Sequence, residues 1–444
     1  MSGAAQDTGF LRLTLQPPDG TPVRDAFDAR WKRLIDCVEG RMPDRLPVAL
    51  YATFWLAKYG NVSCKDLMYD YEKTKALAER ATLELDPDVV AQNLTASTIW
   101  GPTFEALDFK QVQWPGQGVG DHQPYQYLDR EYMHGDEYDE FLFDPTAFYL
   151  RKYLPRIGGA LEGLAEMPYL PGMHYFRLVA GLRGFARPSV RQAFEKLFKA
   201  AEEAERMAAH NADFARRITA QGYPRDFGSS TGAPYDVVAD YFRGARGMMT
   251  DLFRHKDKLL ALLDKMRIVL TRMTIENARA VGHPVVFIPI HWAPDAFMSE
   301  KQFKEFYWPT LRQMMLEMID AGLIPMPLWE ADCTKRLELI ADVPKNKVVY
   351  WFERTDLVKA HEVLGDTVCL RGNLSSSLLT TGRPDEVDGA VRHLVEKIFH
   401  RGGRLLLDAA FGVPDETPVE NVRAMFAAAR KYAGSYGLTP VKAP

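Results

Sequence analysis

Acidic and histidine side chains stand directly after short apolar runs in the second half of the chain. Glu330 and Asp332 follow the run 324–329, and His291 follows the run 285–290. If these runs are strands of a parallel barrel, their carboxyl ends meet at one rim, where barrel enzymes place their catalytic groups. A histidine can relay protons near neutral pH, and crowded carboxylates repel, which raises one pKa or demands a cation. We therefore predict His291, Glu330 and Asp332 as catalytic residues.

A third acid, Asp408, ends the last apolar run and is expected to join the same rim as a catalytic group. The set Glu330, Asp332 and His291 could also hold a divalent metal, since zinc accepts carboxylate oxygen and imidazole nitrogen. Two ordinary structural roles compete with these functions. Asp332 is a good N-cap for the helical pattern that begins at Thr334, and His291 could be a hydrogen-bonded structural histidine.

Four further residues are candidates for contact with a substrate. Glu353 follows the apolar run 348–352, and Asn373 follows a glycine that allows close approach of the backbone to a ligand. Asn373 could equally form a turn. Tyr51 and Trp100 could provide an aromatic wall, although packing in the core is the commoner use of such rings.

The elements that must position these residues are apolar runs alternating with helical patterns. The runs that predict strands are 46–51, 89–91, 285–290, 324–329, 348–352, 368–371 and 405–407. Repeated alternation of this kind indicates parallel strands joined by crossover helices. An open, doubly wound sheet would also fit, but no Gly-x-Gly-x-x-Gly or Walker sequence accompanies a strand. We predict an α/β protein with a (β/α)8 TIM barrel.

The domain organisation follows from where this alternation fails. Residues 1–25 are expected to be a loosely ordered lead-in, and residues 26–444 a single barrel domain. Within that domain the alternation weakens over about 101–171, which is rich in aromatic residues, proline and acids. We interpret this stretch as an insertion over the mouth of the barrel, since long loops in compact proteins are usually functional. It could serve as a lid or as a dimerisation surface.

Composition excludes several classes of protein. The net charge is −4 with 26% charged residues, which argues against broad capture of nucleic acid or of anionic membrane. No apolar stretch approaches the roughly 18 residues of a membrane helix, and no signal peptide is visible. The scattered cysteines favour a reducing compartment. We expect a cytoplasmic homo-oligomer, such as a homodimer, that acts on a small molecule. The cysteines are Cys37, Cys64, Cys333 and Cys369.

Several motifs of the C-terminal half occur together in one known group of proteins. The chain resembles the uroporphyrinogen decarboxylase and corrinoid (cobalamin) methyltransferase superfamily in their order and spacing, and the segment 114–156 resembles one branch of it. The matching motifs are Phe297–Phe306 with Trp308-Pro309, the Gly372-Asn373 turn, the Gly402-Gly403 pair, and Pro414 with Thr417–Val422. The resemblance implies a single uroporphyrinogen-decarboxylase-like barrel with one of two chemistries, decarboxylation or methyl transfer.

The chain departs from the decarboxylase pattern at two places. The resemblance implies arginines near the first strand that clamp the many carboxylates of the substrate, but residues 51–57 contain no arginine. The position of the catalytic aspartate after the second strand corresponds to Asn93, and an amide cannot carry negative charge. Asn93 is therefore a candidate for substrate contact, and porphyrinogen decarboxylation is poorly supported.

The chain also departs from the methyltransferase pattern. The resemblance implies a zinc site built from His-x-Cys after one strand and a cysteine after the last strand. Here those places read Glu330-Ala331-Asp332, with Cys333 adjacent, and Ala410-Phe411-Gly412. A thiolate-rich zinc site is not expected. A harder zinc site, made of Glu330, Asp332 and His291, is expected if metal is bound at all.

Three functions follow. The first is transfer of a methyl group from a small methylated or methoxylated substrate to a corrinoid or another carrier, with a corrinoid protein as partner. The second is a cofactor-free decarboxylase or lyase, in which the same polar groups act only as acid and base. The third is a non-catalytic partner subunit of a corrinoid system.

Overall fold

The computed structural model describes residues 9–91, 95, 98–169 and 173–433. Asn93, a candidate for substrate contact, lies outside the described residues. Within them, the chain is a mixed α/β structure whose main sheet is parallel. Strands are numbered in chain order. They are β1 (Ala49–Leu50), β2 (Val89–Val90), β3 (Val112–Pro115), β4 (Gly118–Val119), β5 (Gln126–Tyr127), β6 (Ser229–Ser230), β7 (Val285–Ile290), β8 (Ile324–Trp329), β9 (Val349–Phe352), β10 (Cys369–Leu374) and β11 (Leu405–Ala409).

In the described part of the chain, β6 to β11 form one parallel sheet in the spatial order β11-β10-β9-β8-β7-β6, and β1 pairs with β2 in a second one. Single parallel bridges join the two sheets at both edges. Val48 pairs with Leu407 beside β11, and Val90 pairs with Arg225 just before β6. The small sheet therefore contacts both edges of the large one, which is the arrangement that a ring of strands requires.

Helices fill the connections between the strands. The α-helices are Pro22–Val38, Trp55–Gly60, Cys64–Tyr69, Tyr71–Leu85, Gly101–Leu107, Tyr138–Phe143, Pro145–Phe148, Leu154–Ile157, Tyr175–Gly181, Pro188–Thr219, Pro234–Val238, Gly244–Arg254, Lys256–Val281, Glu300–Gln302, Trp308–Asp320, Leu337–Ile340, Leu357–Leu364, Ser376–Thr381, Pro384–Lys397 and Val419–Ala433. Turns of π-helix are Tyr149–Tyr153, Ala239–Arg243 and Phe303–Tyr307, and 3₁₀-helices are Gly159–Glu166, Leu182–Ala186, Thr334–Arg336 and Phe399–Arg401. None of the helices in the described ranges is both long and apolar enough to cross a membrane.

The central strands are buried on both faces, as expected when helices cover a parallel sheet. Successive side chains of a strand point to opposite faces, and β7 shows the result. Val285 and Phe287 belong to one apolar cluster, whereas Val286 and Ile288 belong to the other. The near-continuous apolar runs that predicted strands are explained by this double burial.

The structure contains all seven predicted strands, although the first is shortened to β1. It also contains β6, which the apolar pattern missed. Ser229 and Ser230 are polar, and they form a strand because they pair with Val286 and Phe287 of β7. Tertiary pairing overrides local composition at this position.

The insertion is more ordered than its composition indicates. It begins with the helix Gly101–Leu107, continues as a small sheet in the order β4-β3-β5, and ends in short helices as far as residue 166. The amides of Tyr132 and Met133 donate to the carbonyl oxygen of Phe242 at 2.8 and 2.7 Å. The insertion is therefore attached to the π-helical turn Ala239–Arg243 that follows β6.

The predicted lead-in is partly packed. The amide of Leu11 donates to the carbonyl of Gly322 at 2.8 Å, and the amide of Thr14 donates to the carbonyl of Gly282 at 3.0 Å. The first helix begins at Pro22, inside the stretch expected to be loose, and Thr21 caps it.

Candidate active site

The pairing of β7 with β8 brings His291 and Glu330 together. The register aligns Ile290 with Trp329, so the next residue of each strand emerges at the same level. The imidazole Nε2 of His291 lies 3.4 Å from Oε1 of Glu330. The side chains are 35% and 25% exposed, so a small molecule can reach both. The sequence prediction that these two residues lie at one rim is consistent with this geometry, and their catalytic role stays a prediction.

Asp240 holds the other side of the imidazole. It lies on the π-helical turn after β6, and its Oδ2 is 2.5 Å from Nδ1 of His291. Its other oxygen accepts a hydrogen bond from Nε1 of Trp292 at 2.7 Å. A carboxylate on Nδ1 fixes the ring orientation and stabilises the imidazolium form. Asp240 therefore orients His291 toward Glu330.

A second buried acid positions the backbone of the site. Asp236, only 2% exposed, accepts hydrogen bonds from the amides of His291 at 2.8 Å and Trp292 at 3.2 Å. The hydroxyl of Tyr307 also donates to it at 2.8 Å. Burial raises the pKa of Asp236 to about 7, against the lowering by the charge of His291 and with a smaller contribution from Asp240. Asp236 thus connects the end of β7 to its own helix, Pro234–Val238, and to the π-helical turn Phe303–Tyr307.

The pKa values of Glu330 and His291 are both raised above their ordinary values. Burial raises the pKa of Glu330 to about 7, against the lowering effect of His291. For His291, burial alone would lower the pKa, but the hydrogen bond to Asp240 and the nearby carboxylates raise it to about 9. Near neutral pH the imidazole is therefore charged, and Glu330 exchanges its proton readily.

A cavity of about 610 Å³ opens at the carboxyl ends of β9 and β10, and its lining does not include His291 or Glu330. Glu353 lines it and also accepts a hydrogen bond from the amide of Ala331, next to Glu330. Asn373 lines it too, and its amide group donates to the carbonyl of Thr355 at 2.7 Å. Arg354 is exposed on the same loop. The predicted substrate contacts Glu353 and Asn373 thus share one cavity, and Glu353 links that cavity to the backbone next to Glu330.

The structure does not bring Asp408 to this rim, which corrects its expected placement. Asp408 is fully buried, and its Oδ2 accepts from Nη2 of Arg371 at 2.7 Å. The same guanidinium forms an ion pair with buried Asp226 at 2.7 Å. The strand β11 continues to Ala409, so Asp408 is a strand residue facing the interior rather than the first residue of a loop.

The side chain of Asp332 is occupied by local hydrogen bonds to Thr334. Its Oδ1 accepts from the amide of Thr334 at 2.9 Å and from the hydroxyl of the same residue at 2.5 Å. The side chain is exposed. Asp332 therefore bonds just ahead of the 3₁₀-helix Thr334–Arg336, whose N-cap is Cys333 and not Asp332 as the structural alternative predicted.

The tentative metal set Glu330, Asp332 and His291 is therefore not assembled. Within the described ranges, no group of three or more histidine, cysteine or acidic residues is arranged to hold a metal ion. His291 and Glu330 supply two donors, whereas catalytic zinc sites have three protein ligands. The nearest thiol, Cys333, is buried, and burial raises its pKa well above the ordinary value. These residues do not fit the zinc site implied by the resemblance, and no chemical step is assigned to zinc.

The two predicted aromatic contacts have different environments. Tyr51 is 5% exposed and packs its ring against Trp351 at 5.0 Å and Phe287 at 5.8 Å, which is a core position. Trp100 is partly exposed and stacks on Tyr125 of the insertion, with ring centroids 5.6 Å apart. Their roles in substrate contact stay predictions.

Sequence reasoning missed Asp236 and Asp240, which complete the cluster. They lie four residues apart on the helical segment after β6, a spacing that puts two side chains on one face of a helix. That spacing was a usable signal, but the strand before it went unrecognised. The rule of polar residues after apolar strands could not find them.

Comparison with known proteins gives three findings. The family model described as uroporphyrinogen decarboxylase (URO-D) matches residues 185–432, more than half of the chain. A uroporphyrinogen decarboxylase from Coxiella burnetii is 27% identical over 199 residues, covering 43% of this chain and 52% of that protein. One from Chlorobium luteolum is 28% identical over 139 residues, covering 31% and 38%. The chain thus spans about half the length of the first of these relatives and less of the second.

A solved structure, the methyltransferase from Methanosarcina mazei, is similar over almost the whole fold. It covers 91% of this chain and 98% of its own, with a TM-score of 0.59 and 16% sequence identity. At that identity the likeness concerns the fold alone. The sequence matches confirm the resemblance inferred from the C-terminal motifs.

Proposed function

Because the chain belongs to the uroporphyrinogen decarboxylase family, we propose that it is an enzyme in which Glu330 and His291 exchange a proton with a small bound substrate. One observation carries this proposal. His291 is held between Asp240, at 2.5 Å, and Glu330, at 3.4 Å, where neighbouring parallel strands end. Such a chain of titratable groups is suited to general acid–base catalysis.

The scaffold in this proposal is a closed (β/α)8 barrel. It is supported by the eight parallel strands β1, β2 and β6 to β11, and by the single bridges at both edges of the large sheet. The insertion lies over the mouth in this arrangement. In support, the hydroxyl of Tyr127 donates to the carbonyl of Asp240, the residue that orients His291.

The proton step follows from the two pKa shifts. Glu330, with a pKa of about 7, is protonated in a large fraction of molecules near neutral pH and can donate to a leaving atom. The carboxylate formed then faces the charged imidazole of His291, whose pKa is about 9. This pairing stabilises the product state of the transfer. The reverse reaction uses Glu330 as a base.

In this proposal the substrate occupies the cavity lined by Glu353 and Asn373 and extends past Glu353 to Glu330. Arg354, on the same wall, has no ion-pair partner among the described residues and is available to bind a carboxylate or another anionic group. A volume of about 610 Å³ suits a small molecule.

The reaction we favour is methyl transfer from a small methylated or methoxylated compound. The bond between the methyl carbon and its oxygen or nitrogen breaks, the methyl group passes to a nucleophilic carrier, and Glu330 protonates the atom left behind. The carrier is a corrinoid, held by a partner protein, or another nucleophile. One observation favours this reaction over porphyrinogen decarboxylation: residues 51–57 lack the arginines that would clamp a substrate with many carboxylates. The similar methyltransferase from Methanosarcina mazei supports the scaffold.

A second candidate is a cofactor-free decarboxylase or lyase, favoured by the curated relatives named as decarboxylases. The bond between the carboxylate carbon and the neighbouring carbon breaks, and carbon dioxide leaves. Glu330 then protonates the carbanion that remains on the neighbouring carbon. The same residues serve both reactions, so the products distinguish them.

The test combines product analysis with one substitution. Methoxylated aromatic compounds and methylated amines are offered with free reduced cobalamin as acceptor, followed by absorbance, while release of carbon dioxide is measured in parallel. Glu330→Gln is expected to reduce turnover by about 10²- to 10⁴-fold because it removes the proton donor. Glu338→Gln, an exposed position away from the pair, is the matched control.

Turnover that survives Glu330→Gln would refute the proton role, whichever product forms. The third function, a non-catalytic partner subunit, predicts no turnover in wild type or variant with any of these compounds. Methyl transfer and decarboxylation are then separated by whether methylated cobalamin or carbon dioxide accumulates.

A further inference from the structure

A short segment on the surface exposes an unusual amount of apolar side chain. The helix Tyr175–Gly181 has no buried residue, although most of its side chains are apolar. Phe176 is 70% exposed and Val179 is 67% exposed. The 3₁₀-helix Leu182–Ala186 continues the surface and also has no buried residue. A helix that is apolar all round is normally buried in something, and apolar patches beyond a few hundred Å² mark interaction sites.

The base of this segment is fixed to the rest of the protein. Nη1 of Arg187 donates to the carbonyl of Glu166 at 2.8 Å, and Nε of Arg151 donates to the carbonyl of Met167 at 3.1 Å. The guanidinium of Arg151 also lies 5.0 Å from the centre of the Tyr169 ring. The apolar side chains are therefore presented outward from an anchored base.

The charge of this region is opposite to that of the whole chain. From residue 167 to residue 194 the sequence contains no aspartate or glutamate, whereas the chain carries a net charge of −4. Arg177 and Arg183 are exposed and form no ion pair within the described ranges. An apolar surface that also carries unpaired arginines is complementary to a partner with an apolar interior and a negatively charged exterior.

We propose that this segment, residues 173–187, docks into the interface of an anionic lipid bilayer. Aromatic and aliphatic side chains such as Phe176 and Val179 enter the boundary between headgroups and acyl chains, and Arg177 and Arg183 contact lipid phosphates. The protein binds as a peripheral membrane protein, because the inserted element is short and its binding to the bilayer is reversible.

The charge pattern favours lipid over a second copy of the chain. Two copies facing each other through this segment would bring their arginines together, and like charges across an interface are unfavourable. The expectation of no membrane partner rested on the net charge of the whole chain, which averages this region with the rest.

The test is flotation with vesicles of two compositions: phosphatidylcholine mixed with phosphatidylglycerol, and phosphatidylcholine alone. The wild-type protein is expected to float with the anionic vesicles and to be released as salt is raised. The double variant Arg177→Glu/Arg183→Glu and the variant Phe176→Asp are each expected to weaken binding about tenfold or more. Phe253→Ser is the matched control, since Phe253 is 80% exposed but lies on another helix.

Three outcomes would overturn the proposal. The first is no flotation of the wild type with anionic vesicles, and the second is equal flotation with the neutral ones. The third is a dimer in light scattering, without flotation, that both segment variants dissociate and the control does not. That result would assign the segment to a second copy. Circular dichroism of each variant shows that the fold is retained, and none of these substitutions touches His291 or Glu330.

Discussion

At the scale of single residues, the candidate site depends on one histidine kept charged by its neighbours. Asp240 accepts from Nδ1 of His291, so the ring presents Nε2 to Glu330. The two central groups interact closely enough that they titrate as a pair rather than singly. The pH dependence of the enzyme should therefore report the pair, and it should respond to residues that touch no substrate.

Asp240→Asn is expected to lower the pKa of His291 from about 9 toward its ordinary value, because an amide cannot stabilise the imidazolium. The midpoint of the imidazole titration should move to lower pH by at least about one unit, while Glu338→Gln leaves it in place. Titration of the imidazole by nuclear magnetic resonance measures the shift directly. An unchanged titration would show that Asp240 does not control His291.

Some residues of the site can be predicted from their neighbours in the sequence, and others cannot. His291 and Glu330 were predictable because each follows a strand whose apolar run is unmistakable. Asp408 was misplaced because its strand extends two residues beyond the run, to Ala409, and its side chain is buried. Asp240 was missed because the strand before its helical segment is the polar pair Ser229 and Ser230, which no apolar run marks.

At the scale of elements, the strands were predictable where burial on both faces demands apolar residues, and β6 was not. Ser229 and Ser230 are held by pairing with β7 rather than by their own preference. The turn after β6 is the element on which the site most depends, because it carries Asp240 and receives the hydrogen bonds of the insertion. Its exit is Gly244.

Gly244→Ala is expected to destabilise the protein by about 1–3 kcal/mol. Gly244 has a φ of +64°, and a Cβ there would lie 3.0 Å from the carbonyl oxygen of Arg130. Gly389→Ala is the matched control: its Cβ would meet nothing within 4 Å, on the exposed side of the helix Pro384–Lys397. It should stabilise by about 0.5–1 kcal/mol. Urea unfolding measures both, and equal effects would contradict the assigned backbone strain.

At the scale of the whole molecule, the parallel strands must fill the core between them, and here they do so partly with charge. Arg371 is fully buried between Asp226 and Asp408, with its guanidinium 3.8 Å from the centre of the Trp351 ring. Neither periodicity nor composition shows such a group, because each member sits in an otherwise apolar strand or beside one. Averages over the chain likewise concealed the basic, apolar segment proposed to bind lipid.

The buried group makes a prediction about stability and pH. Arg371→Met removes the cation and leaves two carboxylates buried, which should cost about 3–5 kcal/mol near pH 8. Burial raises the pKa of Asp408 to about 7, and Arg371 opposes that rise, so the pKa climbs further in the variant. A carboxyl with a raised folded-state pKa stabilises the fold below its unfolded value near 4, and this contribution is lost as pH increases through the folded pKa. The loss caused by Arg371→Met should therefore be clearly smaller at pH 5 than at pH 8.

Denaturant unfolding at the two pH values measures this difference, with Asp408→Asn added to Arg371→Met as the matched second variant. The added amide removes one buried charge, so the double variant should recover part of the stability lost at pH 8 and less at pH 5, where Asp408 is already protonated. A loss of stability in Arg371→Met that is independent of pH, together with no recovery in the double variant, would mean that Arg371 acts only by filling space. The stacking of its guanidinium on Trp351 would then account for its burial, and the charge of Asp408 would be irrelevant to the closed core.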